Sequence, residues 1–549
     1  MRWPDGLVLT GFALSSLGLL DPRFRAGTVA GPVLALIGLI LGRRLRTRRT
    51  AAGLLTALAC VYAAAAWTGP DFNADSPDYY VYLRSAAFDR DLDFANEWRE
   101  WGYAEEPPTP TGLRPNIAPV GSAIVWSPFF AAAHVYVLLL RAVGDRAYAA
   151  DGFAAPYVRA TALGTATVAV LGAFLLARAL ASVFDRPSVV LGVIAGTLAS
   201  PVPYYVLYQP TMAHGVVFGL AGTFLWVWTE AAREPSARRW ALLGALVGLL
   251  TLTRLQAIAY AALLLPLAVT GLGRRRVRLG WIALSAVSAF AAFVPQLVAW
   301  KIIYGRFLAP PTRENAVDWS SPHLLQVLLS ADRGLFTWTP LMAVGVLGLL
   351  LLLRRWPSLA IGGLLVLAAT AWINGTPQDW TGSDSFGARR FDLVVPLLSA
   401  GVVAVTSSAS AALVRRPWLA PLAVAALSWP GTSASCACTA SASCRRPRAS
   451  IARRARSSSR SAAPSKTYWR GSADRARGTS PTCSSSASTS TGTRTSAARS
   501  TWRRRRGGTS PGAGPPHIDV QAGLPSAGPT IRRPACACRW RRRSTCESP

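Results

Sequence analysis

Cysteine is almost missing from the greater part of this 549-residue chain, and its scarcity excludes two kinds of architecture. Seven of the eight cysteines (Cys436, Cys438, Cys444, Cys483, Cys536, Cys538 and Cys546) lie beyond residue 430, which leaves Cys60 alone before it. The body therefore has neither a disulfide framework nor a zinc site of recognised spacing, and the Cys-Ala-Cys repeats of the tail lack paired zinc-ligand spacing. Charge is scarce too: 15% of residues are Asp, Glu, Lys or Arg, against 51% hydrophobic. No polar stretch before residue 430 is long enough to enclose a core of its own, so a separate soluble domain is excluded there. Lysine is reduced to Lys301 and Lys466, which points to GC-rich coding.

What is present is a succession of apolar spans, at 6–20, 27–42, 51–67, 118–141, 157–183, 188–207, 214–230, 240–253, 256–272, 279–299, 334–353, 358–372, 392–413 and 417–429. A bilayer core needs about 20 apolar residues per helix, so the chain reads as an all-α, polytopic integral membrane protein. The net charge of +32 suggests nucleic acid only until it is located. Residues 431–549 hold 23 of the 58 Lys and Arg; most of the others cluster in short connections between spans. That is the positive-inside pattern, and no nucleic-acid partner is expected.

The clusters orient the chain. Arg43, Arg44, Arg46, Arg48 and Arg49 are expected in the cytoplasm, as are Arg238/Arg239, Arg274–Arg276 with Arg278, Arg354/Arg355 and Arg415/Arg416. This holds only if 118–141 does not cross. Pro119, Pro128 and His134 within it favour an interfacial or re-entrant element, giving about 13 crossings. The expected outer surface is then 68–156, 209–214, 300–333 and 373–391, in a plasma (inner) membrane.

At Trp429-Pro430 the composition turns to Ser, Arg, Ala, Thr, Pro and Gly. Residues 430–549 cannot bury enough apolar surface to offset chain entropy, and disorder is expected. An out-of-frame reading of GC-rich DNA yields the same mixture, so a frameshift product is the other reading of the tail.

Between Gly69 and Arg114 ten Asp or Glu stand against four Arg, in a chain otherwise apolar and basic. Carboxylates beside a lipid-facing span are costly unless they face water and serve a purpose. In Asp75-Ser-Pro-Asp78-Tyr79-Tyr80, Asp75 follows a membrane exit and suits a general base that takes a proton from an acceptor hydroxyl. It equally suits a solvated loop or a helix N-cap. The alternating Asp89, Asp91 and Asp93 offer oxygen ligands for a divalent metal or, alternatively, a solvated helix start. Arg389 and Arg390, at the mouth of a span, suit a lipid-linked phosphate or snorkelling at the interface. Arg254, Lys301 and Arg306 offer further phosphate contacts or interfacial anchors. His214 suits a sugar hydroxyl or polar helix-end packing.

Taken in order, these segments resemble the bacterial membrane glycosyltransferases of the GT-C superfamily, which includes protein O-mannosyltransferases and lipid A aminoarabinose transferases. The likeness rests on Asp75-Ser-Pro-Asp78-Tyr79-Tyr80, on Phe88-Asp89-Arg-Asp91-Leu-Asp93-Phe-Ala-Asn96-Glu97 and on Pro115-Asn116-Ile-Ala-Pro119-Val-Gly121. It continues in Tyr304-Gly305-Arg306, Asp332-Arg333-Gly334-Leu-Phe-Thr-Trp-Thr-Pro340 and Gly382-Ser-Asp384-Ser-Phe-Gly387-Ala-Arg389-Arg390. It covers about residues 51–413 and leaves out the N-terminal hairpin, 1–50, and the tail. The resemblance implies a GT-C-like catalytic domain over 51–429, with juxtamembrane helices in the first outer loop. It implies inverting transfer of a sugar from a polyprenyl-phosphate donor to a glycan, lipid or protein acceptor, on the extracytoplasmic face. Asp75 matches the family's base. Many relatives have Asp-Glu where this chain has Asp75-Ser76, which leaves Asp78 to stand in for the second acid. Tyr79, Tyr80, His214 and Asp384 are the expected substrate contacts. A transporter or flippase of lipid-linked sugars, or an inactive membrane scaffold, is the rival reading; the absence of an internal repeat weighs against transport.

Overall fold

Small residues set how closely these helices pack. In the computed structural model, which describes residues 3–42, 49–73, 75–103, 106–309, 317–382 and 385–412, glycines lie where two helix backbones nearly touch. Between lipid-facing helices there is little hydrophobic drive to associate, so close backbone approach and van der Waals contact hold them together. Gly172 of α7 (Ala155–Leu180) lies against Gly219 of α10 (Ala213–Arg233), and Gly348 against Gly401 between two later helices; a Cβ at any of the four would overlap the facing backbone.

The described residues contain no β-strand. The chain begins with the hairpin α1 (Trp3–Leu20) and α2 (Gly27–Leu41), then α3 (Arg49–Thr68). The first large loop carries α4 (Ser76–Arg84), α5 (Ala95–Glu100) and α6 (Gly121–Ala142). After α7 come α8 (Arg186–Leu198), α9 (Val202–Leu207), α10, α11 (Ala237–Thr253), α12 (Leu264–Gly273) and α13 (Leu279–Tyr304). The short α14 (Leu324–Leu329) and α15 (Leu335–Trp338) lead to α16 (Pro340–Leu352), α17 (Pro357–Gly375) and α18 (Val395–Ala412). By length and composition, eight helices among the described residues are able to cross a membrane, as expected of a multi-pass helical membrane protein. The span 417–429, the tail, Arg415/Arg416, Arg43–Arg48 and Asp384 lie outside the described residues.

Side-chain bonds show which helix ends share a face. Thr68, ending α3, donates to the Leu207 carbonyl at 2.7 Å; Thr161, near the start of α7, meets Thr211 at 2.8 Å; Arg254, just past α11, meets His214 at the start of α10. Asn374, near the end of α17, donates to the Arg390 carbonyl at 3.1 Å. At the other end, Arg233 donates to the Ser182 carbonyl and Ser407 to Asp185. The turns carrying Arg238/Arg239, Arg274–Arg276 and Arg354/Arg355 join helices at that second end, as the positive-inside pattern requires of a common face.

Both ends of α6 belong to the first face. Gly121 packs on Leu252 and Thr253 at the end of α11, and the Val120 amide is held by Gln296 of α13 at 2.9 Å. Fifteen residues on, Tyr136 donates to Asp21, in the α1–α2 turn, at 2.7 Å. The helix is long and apolar enough to cross, and it is buried on one side through Ser122, Trp126, Phe130, Ala133 and Val137.

Two expectations need correction. Pro128 does not interrupt α6: it deprives the Ile124 carbonyl of its amide partner, but Ser127 Oγ donates to that carbonyl at 2.8 Å and the helix continues. The span 188–207 is not one helix; it breaks at Pro201 into α8 and α9.

Candidate active site

Pro77 in its first turn starts α4, and Asp75 occupies the N-cap position without using its side chain as a cap. The carboxylate instead reaches across to Arg389, with Oδ2 2.9 Å from Nη1. The candidate base and the candidate phosphate-binding residue, 314 positions apart in the chain, are thus a direct ion pair. Asp75 is 42% exposed and Arg389 13%, so the pair is open on the carboxylate side.

Arg389 is delivered by a turn that only glycine permits. Gly387 has φ +59°, and a Cβ there would meet Pro201 at 2.8 Å. The chain then winds through the 3₁₀ segment Arg389–Val394 into α18. Arg389 also donates to the Gly382 carbonyl at 3.3 Å. Arg390 faces elsewhere: Nη1 donates to the Asp379 carbonyl at 2.7 Å, and Nη2 lies 3.3 Å from the Asp379 carboxylate. The two arginines therefore separate in role, one facing the acidic loop and one bracing its own loop. A small cleft beside them is lined by Val327, Arg333, Asn374, Trp380, Arg389 and Arg390.

His214 lies beneath this pair, 1% exposed, its ring 4.2 Å from that of Tyr205. Its Nε2 is 3.1 Å from Arg254 Nη1, and its Nδ1 is 3.0 Å from both the Arg389 carbonyl and Asp392 Oδ2. Arg254 is held on its other side by Gln256, whose amide oxygen accepts from Nη2 at 2.9 Å and Nε at 3.0 Å. Tyr79, 8% exposed, feels the charges of Arg254, Asp75, Arg389 and Asp78, and burial pushes its hydroxyl pKa up. Asp75, Tyr79, His214, Arg254 and Arg389 thus converge.

The other candidates stand apart. Tyr80 is fully buried, its hydroxyl donated to the Gly152 carbonyl at 2.5 Å, in a cluster with Phe72, Trp101 and Phe130; it is core and not a substrate contact. Asp78 is 2% exposed, and its backbone carbonyl accepts from Asn116 at 2.8 Å, so it is far less open to an acceptor than Asp75. Lys301 turns to the Gly305 carbonyl at 2.7 Å and the Phe307 ring, capping its own helix, while Arg306 is exposed just beyond it. Asp384 lies outside the described residues.

Asp89, Asp91 and Asp93 do not converge on a common point. Asp89 pairs with Arg84 and accepts from Asn96 at 2.6 Å; Asp91 accepts from Ser85 Oγ at 2.8 Å; Asp93 accepts from the Ala95 amide at 3.1 Å. Asp89 and Asp91 brace the segment around Arg90, which has φ +62°, while Asp93 serves the start of α5. Among the described residues no group of three His, Cys, Asp or Glu is arranged to hold a metal. In the same loop Glu97 is buried beside Arg84 at 3.1 Å, and burial pushes its carboxyl up to about 7 against the pull of its backbone and of Arg84.

Sequence reasoning missed Asp392, Tyr205, Gln256 and Asp379. The signal for Asp392 was available, because an acid at the first residue of an apolar span is costly without a partner. The others carry no distinguishing pattern. Comparison with protein-family models and with curated proteins finds no match for this chain.

Proposed function

We propose that this protein is an inverting glycosyltransferase of the plasma membrane, moving a sugar from a polyprenyl-phosphate donor to an acceptor hydroxyl on the extracytoplasmic face. The Asp75–Arg389 pair carries this reading: it places a partly exposed base against a cation suited to phosphate. Asp75 takes the hydroxyl proton as the acceptor oxygen bonds to the anomeric carbon. The bond from that carbon to the phosphate oxygen breaks, its electron pair leaves with the polyprenyl phosphate, and Arg389 balances the charge. Donor phosphate competes with Asp75 for the Arg389 fork, so donor binding frees the base. The GT-C assignment is supported by the order of the motifs and by α6, read as a juxtamembrane helix. On this reading the arginine-rich turns lie opposite the site, in the cytoplasm.

The test is transfer by membranes carrying the protein, supplied with radiolabelled polyprenyl-phosphate sugars. Wild-type membranes should form labelled product and Asp75→Asn membranes should not. Equal product from both at equal protein abundance would overturn the reading.

A further inference from the structure

Asp392 is 1% exposed, and neither of its carboxylate oxygens has a hydrogen-bond partner. A buried carboxylate left in this state is costly, and structures retain one where the surrounding charges require it. The cations within its electrostatic reach are Arg254 and Arg389. Between the acid and Arg254 stands His214, with Nδ1 3.0 Å from Asp392 Oδ2 and Nε2 3.1 Å from Arg254 Nη1.

Arg254 Nη1 is 3.1 Å from Nε2 and 3.4 Å from Nδ1 of His214. Arginine only donates hydrogen bonds, and Nδ1 is also the nitrogen 3.0 Å from two oxygens, so Nε2 is the one with the lone pair. That leaves the proton on Nδ1, where it faces two oxygens, the Arg389 carbonyl and Asp392. The ring is fixed further by Tyr205. Arg254 has five N–H groups; Gln256 takes those of Nε and one of Nη2, and His214 takes one of Nη1. Two remain, one on each terminal nitrogen, and the same His214 ring that contacts Arg254 lies against the Arg389 carbonyl, which ties Arg254 to the Asp75–Arg389 pair.

We propose that Asp392 and His214 form a buried relay that orients Arg254, so that its two remaining N–H groups hold an anion beside the Asp75–Arg389 pair. Asp392 selects the His214 tautomer, the tautomer presents an acceptor to Arg254, and Gln256 closes the fork from the other side. Asp392 and His214 are positioning residues and do not touch substrate. The proposal rests on the glycosyl-transfer reading only for the identity of the anion.

Two measurements on the full-length protein in lipid nanodiscs test it. The first needs no ligand: solid-state ¹⁵N spectra of histidine-labelled protein, which has four histidines, with the His214 signals identified by their loss in His214→Phe. A neutral Nδ1–H tautomer is expected, with its Nε2 signal moving in Arg254→Ala. An Nε2–H tautomer or an imidazolium overturns the relay. The second is binding of farnesyl phosphate. Asp392→Asn and His214→Phe should each weaken it about 10-fold, the scale of one charge-assisted contact. Neither should weaken it further in an Arg254→Ala background, because residues acting through one side chain are not additive. His214→Gln, whose amide oxygen reaches towards the Nε2 position, should recover part of the loss, which a general folding defect would not allow. Additive losses, or unchanged binding in Asp392→Asn, overturn the relay. If the wild type binds no farnesyl phosphate, the glycosyl-transfer reading falls, and the tautomer alone decides whether the relay stands.

Discussion

The two ends of the bundle use arginine in opposite ways. At one end Arg274, Arg275, Arg276, Arg354 and Arg355 are exposed in short turns, and Arg239 pairs with a Glu234 that is itself 77% exposed. At the other, Arg389 is 13% exposed and faces Asp75, while Arg254 is fenced between His214 and Gln256. The first group acts by number and location, as a topological signal, and the pairs it makes are exposed ones such as Arg239–Glu234. The second acts through fixed forks, each with a named partner. Residue type alone does not separate the two; burial and partner do.

That contrast is open to attack, beginning with the acid that faces Arg389. Asp75→Asn preserves shape but cannot accept a proton, so kcat should fall about 10²- to 10⁴-fold, with protein abundance near normal and donor binding at least as tight, because Asn no longer competes with phosphate for Arg389. Wild-type turnover would remove Asp75 from the chemistry. Next, Arg389→Ala should raise the donor KM about 10- to 150-fold, the loss of a contact of roughly 1.5–3 kcal/mol. Lys at 389 should rescue only in part, since it lacks the planar fork. Arg274→Ala serves as the control and should leave KM unchanged; equal effects at 274 and 389 would erase the distinction between the ends.

A third effect lies within the acidic loop. Glu97 has a folded pKa of about 7, above its ordinary 4.5, so the folded state binds more protons than the unfolded state between those values. Stability is therefore greatest below about pH 4.5, is lost as pH rises towards 7, and is level above it. The change from this group should be on the order of 1–2 kcal/mol after screening. Glu97→Gln should flatten thermal unfolding midpoints of the detergent-solubilised protein across that window; an unaltered pH profile would place the ionisation elsewhere. Smallest of all, Arg239→Ala should cost about 0.2–1 kcal/mol, as exposed pairs do, with no change in donor KM. The sidedness of the comparison is checked with a chain whose eight cysteines are replaced by Ser. A single cysteine at exposed Gly112 should react with an impermeant thiol reagent from outside, and one at Pro235 should not. The reverse labelling would invert the membrane orientation.

Much of the architecture was legible because a bilayer imposes length and hydropathy on each crossing helix. The α1–α2 hairpin, α3, α7, α10, α13 and α17 lie close to the spans read from composition. Helix breaks were less legible. Pro201 broke a span and Pro128 did not, because Ser127 happens to satisfy the carbonyl that Pro128 leaves open. Nothing in the identity of the two prolines distinguishes those outcomes.

The site divides along the same line. By itself the sequence determined that carboxylates collect in one loop, that arginine clusters mark one side, and that Asp75 and Arg389 both belong to the other, because charge near lipid is confined to segment ends. Only the tertiary structure decided that those two meet, that Arg390 turns to Asp379, that Tyr80 is core, and that Asp392 lies under His214. The reason is physical. Hydropathy acts on each span separately and can be summed along the chain. Which side chain meets which depends on helix rotation and on glycine contacts of the Gly172–Gly219 kind, which exist only once two distant segments are packed together.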